Sequence, residues 1–244
     1  MLAEGLAAAG IRSLRYDKRG VAESRHLVQR PEDYQLQHLV GDAVTAARDL
    51  ATRPDVSEVI IAGHSEGSLV ATLAASKANP AAIALLAAPG RPLHVSLREQ
   101  FTAALSQPGQ EPVLKDVLEI IDMLARGERV PDVHPSSMFR SLMQPYWISI
   151  LSVDPAAEVS RLTLPTLIVR CARDIQLRPA DFDALVRARP DAHKLVLPTA
   201  NHMFKPAPED INDREAQLRS YDAAAPLVPE FVPGLVAFVR GLTA

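Results

Sequence analysis

The sequence predicts an α/β fold: a mostly parallel sheet with helices on both faces and a helical cap inserted between two of its strands. Three observations predict it. Short β-branched apolar runs alternate with longer amphipathic stretches from residue 11 to residue 87. The same alternation returns at residue 164, and the region between the two has helical patterns without a convincing strand. Strands that alternate with helices are joined by crossovers, which makes neighbouring strands parallel and covers both faces of their sheet. At 244 residues the chain is long enough for one such domain with a large core.

The elements follow in order. Residues 2–9 read as the end of an amphipathic helix stopped by Gly10. Residues 11–16, Ile-Arg-Ser-Leu-Arg-Tyr, alternate as a strand that ends at Asp17-Lys18-Arg19-Gly20. Pro31 opens a long helix through Arg53, with Leu36, Leu39, Val40, Ala43, Val44, Ala47 and Leu50 at helical spacing. Residues 57–62 read as a buried strand, 68–77 as a helix, and 82–87 as a second buried strand ended by Pro89-Gly90. From 91 to 159 the rhythm changes to helical patterns such as 113–126, several prolines and the only tryptophan, Trp147. A long helical insertion between two sheet strands reads as a cap over one edge of the sheet. Strand 164–170, helix 179–188, strand 194–197 and a closing helix at 232–242 complete the chain. The expected organisation is therefore a core made of 1–90 and 160–244, with 91–159 as the cap.

Composition narrows the classes of function. Residues of apolar type make up 48% of the chain, as expected of a soluble globular domain. The net charge of −3 supplies no basic field for nucleic acid, and no Lys/Arg run suits an anionic membrane. The single cysteine, Cys171, excludes an intramolecular disulfide. The first residues carry an acid early and lack a basic region followed by a long apolar core, so they do not read as a signal peptide. No segment reaches the uninterrupted apolar length of a membrane span. A cytoplasmic chain acting on a small molecule, with homo-oligomerisation left open, is the expectation.

Gly63-His64-Ser65-Glu66-Gly67 is the motif that carries chemistry. A G-x-S-x-G pentapeptide is weak evidence alone, because an ordinary glycine turn can match it. Between a buried strand and a helix it is the nucleophile elbow of α/β-hydrolases, with Ser65 exposed at the tip of a sharp turn. Glycines are expected on both sides because a Cβ there would collide with the neighbouring strand or helix. A serine hydroxyl needs a base, and the base needs a third group to orient it. In this architecture they follow in the order serine, acid, histidine, each past the end of a strand. His202, after the last strand, fits the base. Asp174, after the strand at 164–170, fits the acid, although a turn carboxylate capping the helix near Pro179 is the plain alternative. Asp154 and Asp183 are weaker rivals, the first lying before that strand and the second inside a helix.

At these residues the chain resembles capped bacterial α/β-hydrolases, on the branch of serine aminopeptidase-like and dienelactone-hydrolase-like esterases. The resemblance rests on residues 2–24, the elbow at Ser65, the Asp174 loop and Asn201-His202-Met203-Phe204-Lys205-Pro206. It is weakest in the cap. It implies an eight-stranded sheet, hydrolysis of esters or related acyl bonds through an acyl-enzyme, and no metal or organic cofactor. Its triad falls on Ser65, Asp174 and His202, and the N–H of Glu66 supplies one oxyanion donor. Members of the family usually carry a glycine where this chain has Cys171, which reads as a small buried side chain rather than a reactive thiol.

The departure from the family is at the start. There the chain normally lays down three strands before the helix that residues 2–9 resemble, and the loop before that helix gives the second oxyanion N–H. The N-terminal strands are missing here, so that donor has no residue. The family places the third strand between 11–16 and 59–62, and its absence predicts either a gap with unpaired backbone or a rearranged pairing. A misassigned start is the favoured account, beside a fragment and beside another chain or a shifted packing that fills the gap.

The remaining residues read as follows. Asp17 and Arg19 are expected to brace loops, His64 to be structural, and Glu66 to flank the elbow at a helix N-terminus. His38 and Asp42 share a helix face without a third metal ligand. Phe101, Leu105, Met123, Met138, Phe139, Met143 and Trp147 could line an acyl pocket or simply pack the cap onto the sheet. An aminopeptidase-like activity would need a carboxylate or carbonyl cluster for a free amine, and the sequence identifies none.

Overall fold

The computed structural model describes residues 1–131, 133–134, 137–222 and 224–242; within the expected cap, 132, 135 and 136 lie outside the described residues. The centre is a parallel sheet in the order β1 (Ile60–His64), β2 (Ala82–Leu86), β3 (Thr166–Cys171) and β4 (His193–Leu197). β2 reads Ala-Ile-Ala-Leu-Leu and is buried at every position, as a central strand of a parallel sheet requires. Its side chains alternate between two cores. Ala82, Ala84 and Leu86 join Leu167 and Val169 against Phe231, Leu235 and Phe238 of α10 (Phe231–Gly241). Ile83 and Leu85 join Ile168 against Ala75 of α3 (Glu66–Ala78) and Leu185 of α8 (Pro179–Ala188).

Helix α1 (Leu2–Ala8) packs Leu2 and Leu6 onto the α10 side. The long helix expected from Pro31 is divided: a 3-10 turn at Pro31–Asp33 precedes α2 (Leu36–Ala51). Pro31 fixes the backbone of that turn, and the Asp33 carboxylate accepts from the Gln29 and Arg30 N–H groups. Between β2 and β3 the chain forms α4 (Leu93–Ala104), α5 (Glu111–Ala125), α6 (Gln144–Leu151) and α7 (Pro155–Ser160), and no strand among the described residues. Leu97, Ile121, Leu124, Phe139, Trp147 and Ile150 of this region share a core with Leu36, Leu39 and Val40 of α2 and Leu69 and Val70 of α3. The start of the region is tied down by Asp181, which is 1% exposed and accepts from the N–H groups of Gly90, Arg91 and Arg178 and from the Arg91 guanidinium. α9 (Arg214–Asp222) precedes the closing helix.

One expected strand does not form. Residues 11–16 are not paired into the sheet, and Leu14 and Tyr16 are 42% and 50% exposed. The reason is geometric. A strand forms by exchanging hydrogen bonds with a neighbour, and β1 pairs only with β2 among the described residues. Between 11–16 and β1 lies a cavity of about 730 Å³, bordered by Ile11 and Leu14 on one side and by Ile60 and Ala62 on the other. Leu39, Ala43 and Leu50 of α2 and Leu6, Leu235 and Val239 complete its walls. The sheet is thus four-stranded where the family resemblance implied eight, and the gap expected beside 59–62 is present. Ala62, which a neighbouring strand would bury, is exposed.

Candidate active site

The elbow joins β1 to α3. Ser65 holds φ 53° and ψ −121°, a backbone conformation that costs energy for a residue with a Cβ. The surrounding bonds enforce it: Ser65 N–H donates to the Leu86 carbonyl at 2.9 Å, and Ser68 Oγ donates to the Gly63 carbonyl at 2.6 Å. A Cβ on Gly63 would lie 2.0 Å from the Gly67 carbonyl oxygen, so this glycine is required by close approach. The matching expectation for Gly67 does not hold. A Cβ there would meet nothing within 4 Å, because Gly67 borders the open cavity beside β1. The N–H of Glu66 opens α3 and has no acceptor within its own helix.

His202 lies beyond β4 in a short loop. Its Nδ1–H donates to Asp174 Oδ2 at 2.6 Å, and both side chains are 4% exposed. A carboxylate can only accept, so the proton sits on Nδ1 and Nε2 is left as an acceptor. Asp174 Oδ1 accepts from the N–H groups of Gln176 and Leu177 at 2.7 and 3.1 Å. The plain alternative for Asp174, a turn carboxylate, therefore holds for one oxygen while the other meets His202. Asp154 instead caps α7 through the N–H of Ala157, and Asp183 lies exposed within α8.

The His202 loop is fixed from three directions. Asn201, fully buried, accepts from the N–H groups of Met203 and Lys205 and donates to Ser220 Oγ. Phe204, at φ 59°, stacks on Phe231 at 4.1 Å. His64 donates from Nε2 to the His202 carbonyl at 2.9 Å, with its ring 4.8 Å from the His202 ring. Burial, with His202 beside it, pulls the His64 imidazole down to about 4, so it is neutral near pH 7.

Ser65, Glu66, His64 and His202 all border the 730 Å³ cavity, and Asp174 stands behind His202. Among the described residues Ser65 Oγ makes no hydrogen bond, and it borders the cavity together with His202. Arg19 grips Asp42 through two bonds of 2.6 Å, which commits one of the two residues weighed as metal ligands. Burial, followed by the Asp174 carboxylate, pushes the Cys171 thiol up, away from reactivity. Of the seven apolar side chains weighed as an acyl pocket, none borders the cavity; Phe139 and Trp147 are buried in the core shared with α2 and α3. The sequence missed Tyr146, whose hydroxyl donates to Glu66 Oε2 at 2.6 Å. No local signal marks it, because the contact joins residues 80 apart in the chain.

This elbow, with an Asp–His pair past two neighbouring strands of a parallel sheet, defines an α/β-hydrolase. The family comparison agrees: residues 1–141 match the serine aminopeptidase S33 family, and the chain belongs to it. Esterase EstD of Thermotoga maritima is 28% identical over 207 residues, covering 83% of this chain and 48% of EstD. The chain thus spans about half the length of that relative. Among solved structures, VinJ superposes with a TM-score of 0.63 at 16% identity, covering 97% of this chain and 83% of VinJ. The enol-lactonase from Burkholderia xenovorans LB400 gives 0.54 at 20% identity, covering 98% and 86%. These likenesses are of fold. Among the described residues no helix is long and apolar enough to cross a membrane.

Proposed function

We propose that this chain is a serine hydrolase that cleaves a carboxylic ester or a similar acyl bond through an acyl-enzyme on Ser65. The observation that carries the reading is the 2.6 Å bond from His202 Nδ1–H to Asp174, which leaves Nε2 as a base on the cavity that Ser65 borders. In this account Ser65 Oγ attacks the acyl carbon and its proton passes to His202 Nε2. Asp174 stabilises the imidazolium, and the Glu66 N–H faces the tetrahedral oxyanion. Collapse breaks the acyl–oxygen bond, and the leaving group takes the proton from His202. Water then attacks the acyl-enzyme by the same route and frees Ser65. The region 91–159 serves as a cap.

A second reading has its own support. One oxyanion donor can be named, the Glu66 N–H, and among the described residues β1 pairs only with β2, with no strand on its other side to bring a second. Loss of one such donor costs on the order of 3 kcal/mol, roughly a hundredfold in rate or more. The chain would then be a weak hydrolase or a non-catalytic scaffold. An aminopeptidase-like acyl hydrolase is the runner-up among enzymes. Stopped-flow hydrolysis of p-nitrophenyl acetate separates the serine hydrolase from the scaffold. A burst of one equivalent followed by turnover, both abolished by Ser65→Ala, is the expected result. A folded protein with neither burst nor turnover supports the scaffold.

A further inference from the structure

The side chain after the nucleophile does not simply face a helix N-terminus. Glu66 Oε2 accepts from the Tyr146 hydroxyl at 2.6 Å, while Oε1 lies 3.5 Å from the ammonium of Lys18. That ammonium stands over the ring of Tyr34, 5.7 Å from its centre, and the rings of Tyr34 and Tyr146 are 5.0 Å apart. A tyrosine ring and a carboxylate around one cation, with the second tyrosine holding the carboxylate, make the kind of site that takes ammonium and quaternary ammonium groups. Tyr146 stays a neutral donor, because burial and the neighbouring Glu66 charge push its phenol up. Lys18 and Glu66 border the same cavity as Ser65, so the ion pair itself lies at the cavity wall beside the proposed nucleophile.

The tyrosine that holds Glu66 is fixed more firmly than the ion pair it supports. Tyr146 is 5% exposed, whereas the Lys18 side chain is 45% exposed and the Glu66 side chain 30%. An ion pair this open contributes little to stability, so Lys18 is there at small energetic consequence to the fold. Its effect on a ligand is larger, since a second cation cannot share the site with it.

We propose that Lys18 is the built-in occupant of a cation site formed by the Tyr34 ring and the Glu66 carboxylate, which Tyr146 holds in place, and that it makes the cavity beside Ser65 refuse ammonium-bearing ligands. Removal of the lysine charge opens the site to them. The substrate-selection half of this statement rests on the Ser65 reading; the binding half does not.

Tetramethylammonium is the probe, titrated into the whole chain and followed by calorimetry or by tyrosine ring resonances. Lys18→Met, and Lys18→Gln as a second opening variant, should bind it roughly tenfold tighter than the wild type. Lys18→Arg should stay closed, and Lys18→Met combined with Glu66→Gln should lose the gain. Equal binding by wild type and both opening variants, or a gain that survives Glu66→Gln, overturns the cation site. Selection is read by hydrolysis of p-nitrophenyl 4-(trimethylammonio)butanoate against its uncharged tert-butyl isostere. The ratio of their kcat/KM values should rise about tenfold in Lys18→Met, and an unchanged ratio overturns the selecting role. If no variant hydrolyses either ester, the Ser65 reading fails while the tetramethylammonium result still decides the site.

Discussion

Replacing Asp174 by Asn tests the logic of the site through a single atom. The two oxygens of Asp174 have different partners: Oδ1 accepts from two backbone N–H groups, and Oδ2 accepts from His202. The amide of Asn must choose. If its oxygen keeps the N–H groups of Gln176 and Leu177, its NH2 faces His202 Nδ1, which must then lose its proton. The proton moves to Nε2, and the ring can no longer accept from Ser65. Turning the amide over restores the right tautomer but gives up two backbone bonds of about 1 kcal/mol each, and sets NH2 against two donors. That alone leaves the competent form at roughly 3% or less. Loss of the negative charge beside the imidazolium carries the expected deficit to between about 10² and 10⁴. The assay is the second-order rate of fluorophosphonate labelling, with the melting temperature as a check on folding. A well-folded Asp174→Asn variant that labels within threefold of the wild type refutes this account of Asp174.

Three further perturbations follow from the geometry. Gly63→Ala should destabilise by about 3 kcal/mol or more, since its Cβ meets the Gly67 carbonyl at 2.0 Å, whereas Gly67→Ala should stay within about 1 kcal/mol; urea midpoints of the two variants check the contrast. His64 has a folded value of about 4 against about 6.5 unfolded, so the unfolded chain binds more protons between those pH values and stability falls as pH drops through that window. The loss from pH 7 to 4.5 is about 2 kcal/mol, and urea unfolding of His64→Asn should show that much less acid sensitivity than the wild type. Asp181→Ala strips the buried acceptor from the Gly90, Arg91 and Arg178 N–H groups and should cost about 3 kcal/mol by chemical denaturation.

Legibility in the sequence followed the range of the interactions. The helix Pro179–Ala188 was readable to the residue, because its proline start and apolar spacing are local. That Ser65, Asp174 and His202 stand past strand ends was readable, because the apolar run of each strand is visible in the chain. The segment 11–16 was misread for the opposite reason: its alternation is real, but a strand also needs a neighbour, and β1 does not reach it. Gly67 was misread with it, since the collision expected there depends on what borders the turn. The ring of contacts around Glu66 was invisible because Lys18, Tyr34 and Tyr146 come from separate stretches of chain. Likewise Asp181 looked like one more residue of a helix, yet its partners Gly90 and Arg91 lie some ninety positions away.

The central claim is that Ser65 is a nucleophile activated by His202. Intact-mass and peptide mass spectrometry after incubation with a fluorophosphonate test it most directly. The account predicts one covalent adduct per chain, located on Ser65, and absent after His202→Ala or Ser65→Ala. A folded wild-type chain that carries no adduct on Ser65, or one that labels equally well after His202→Ala, contradicts it.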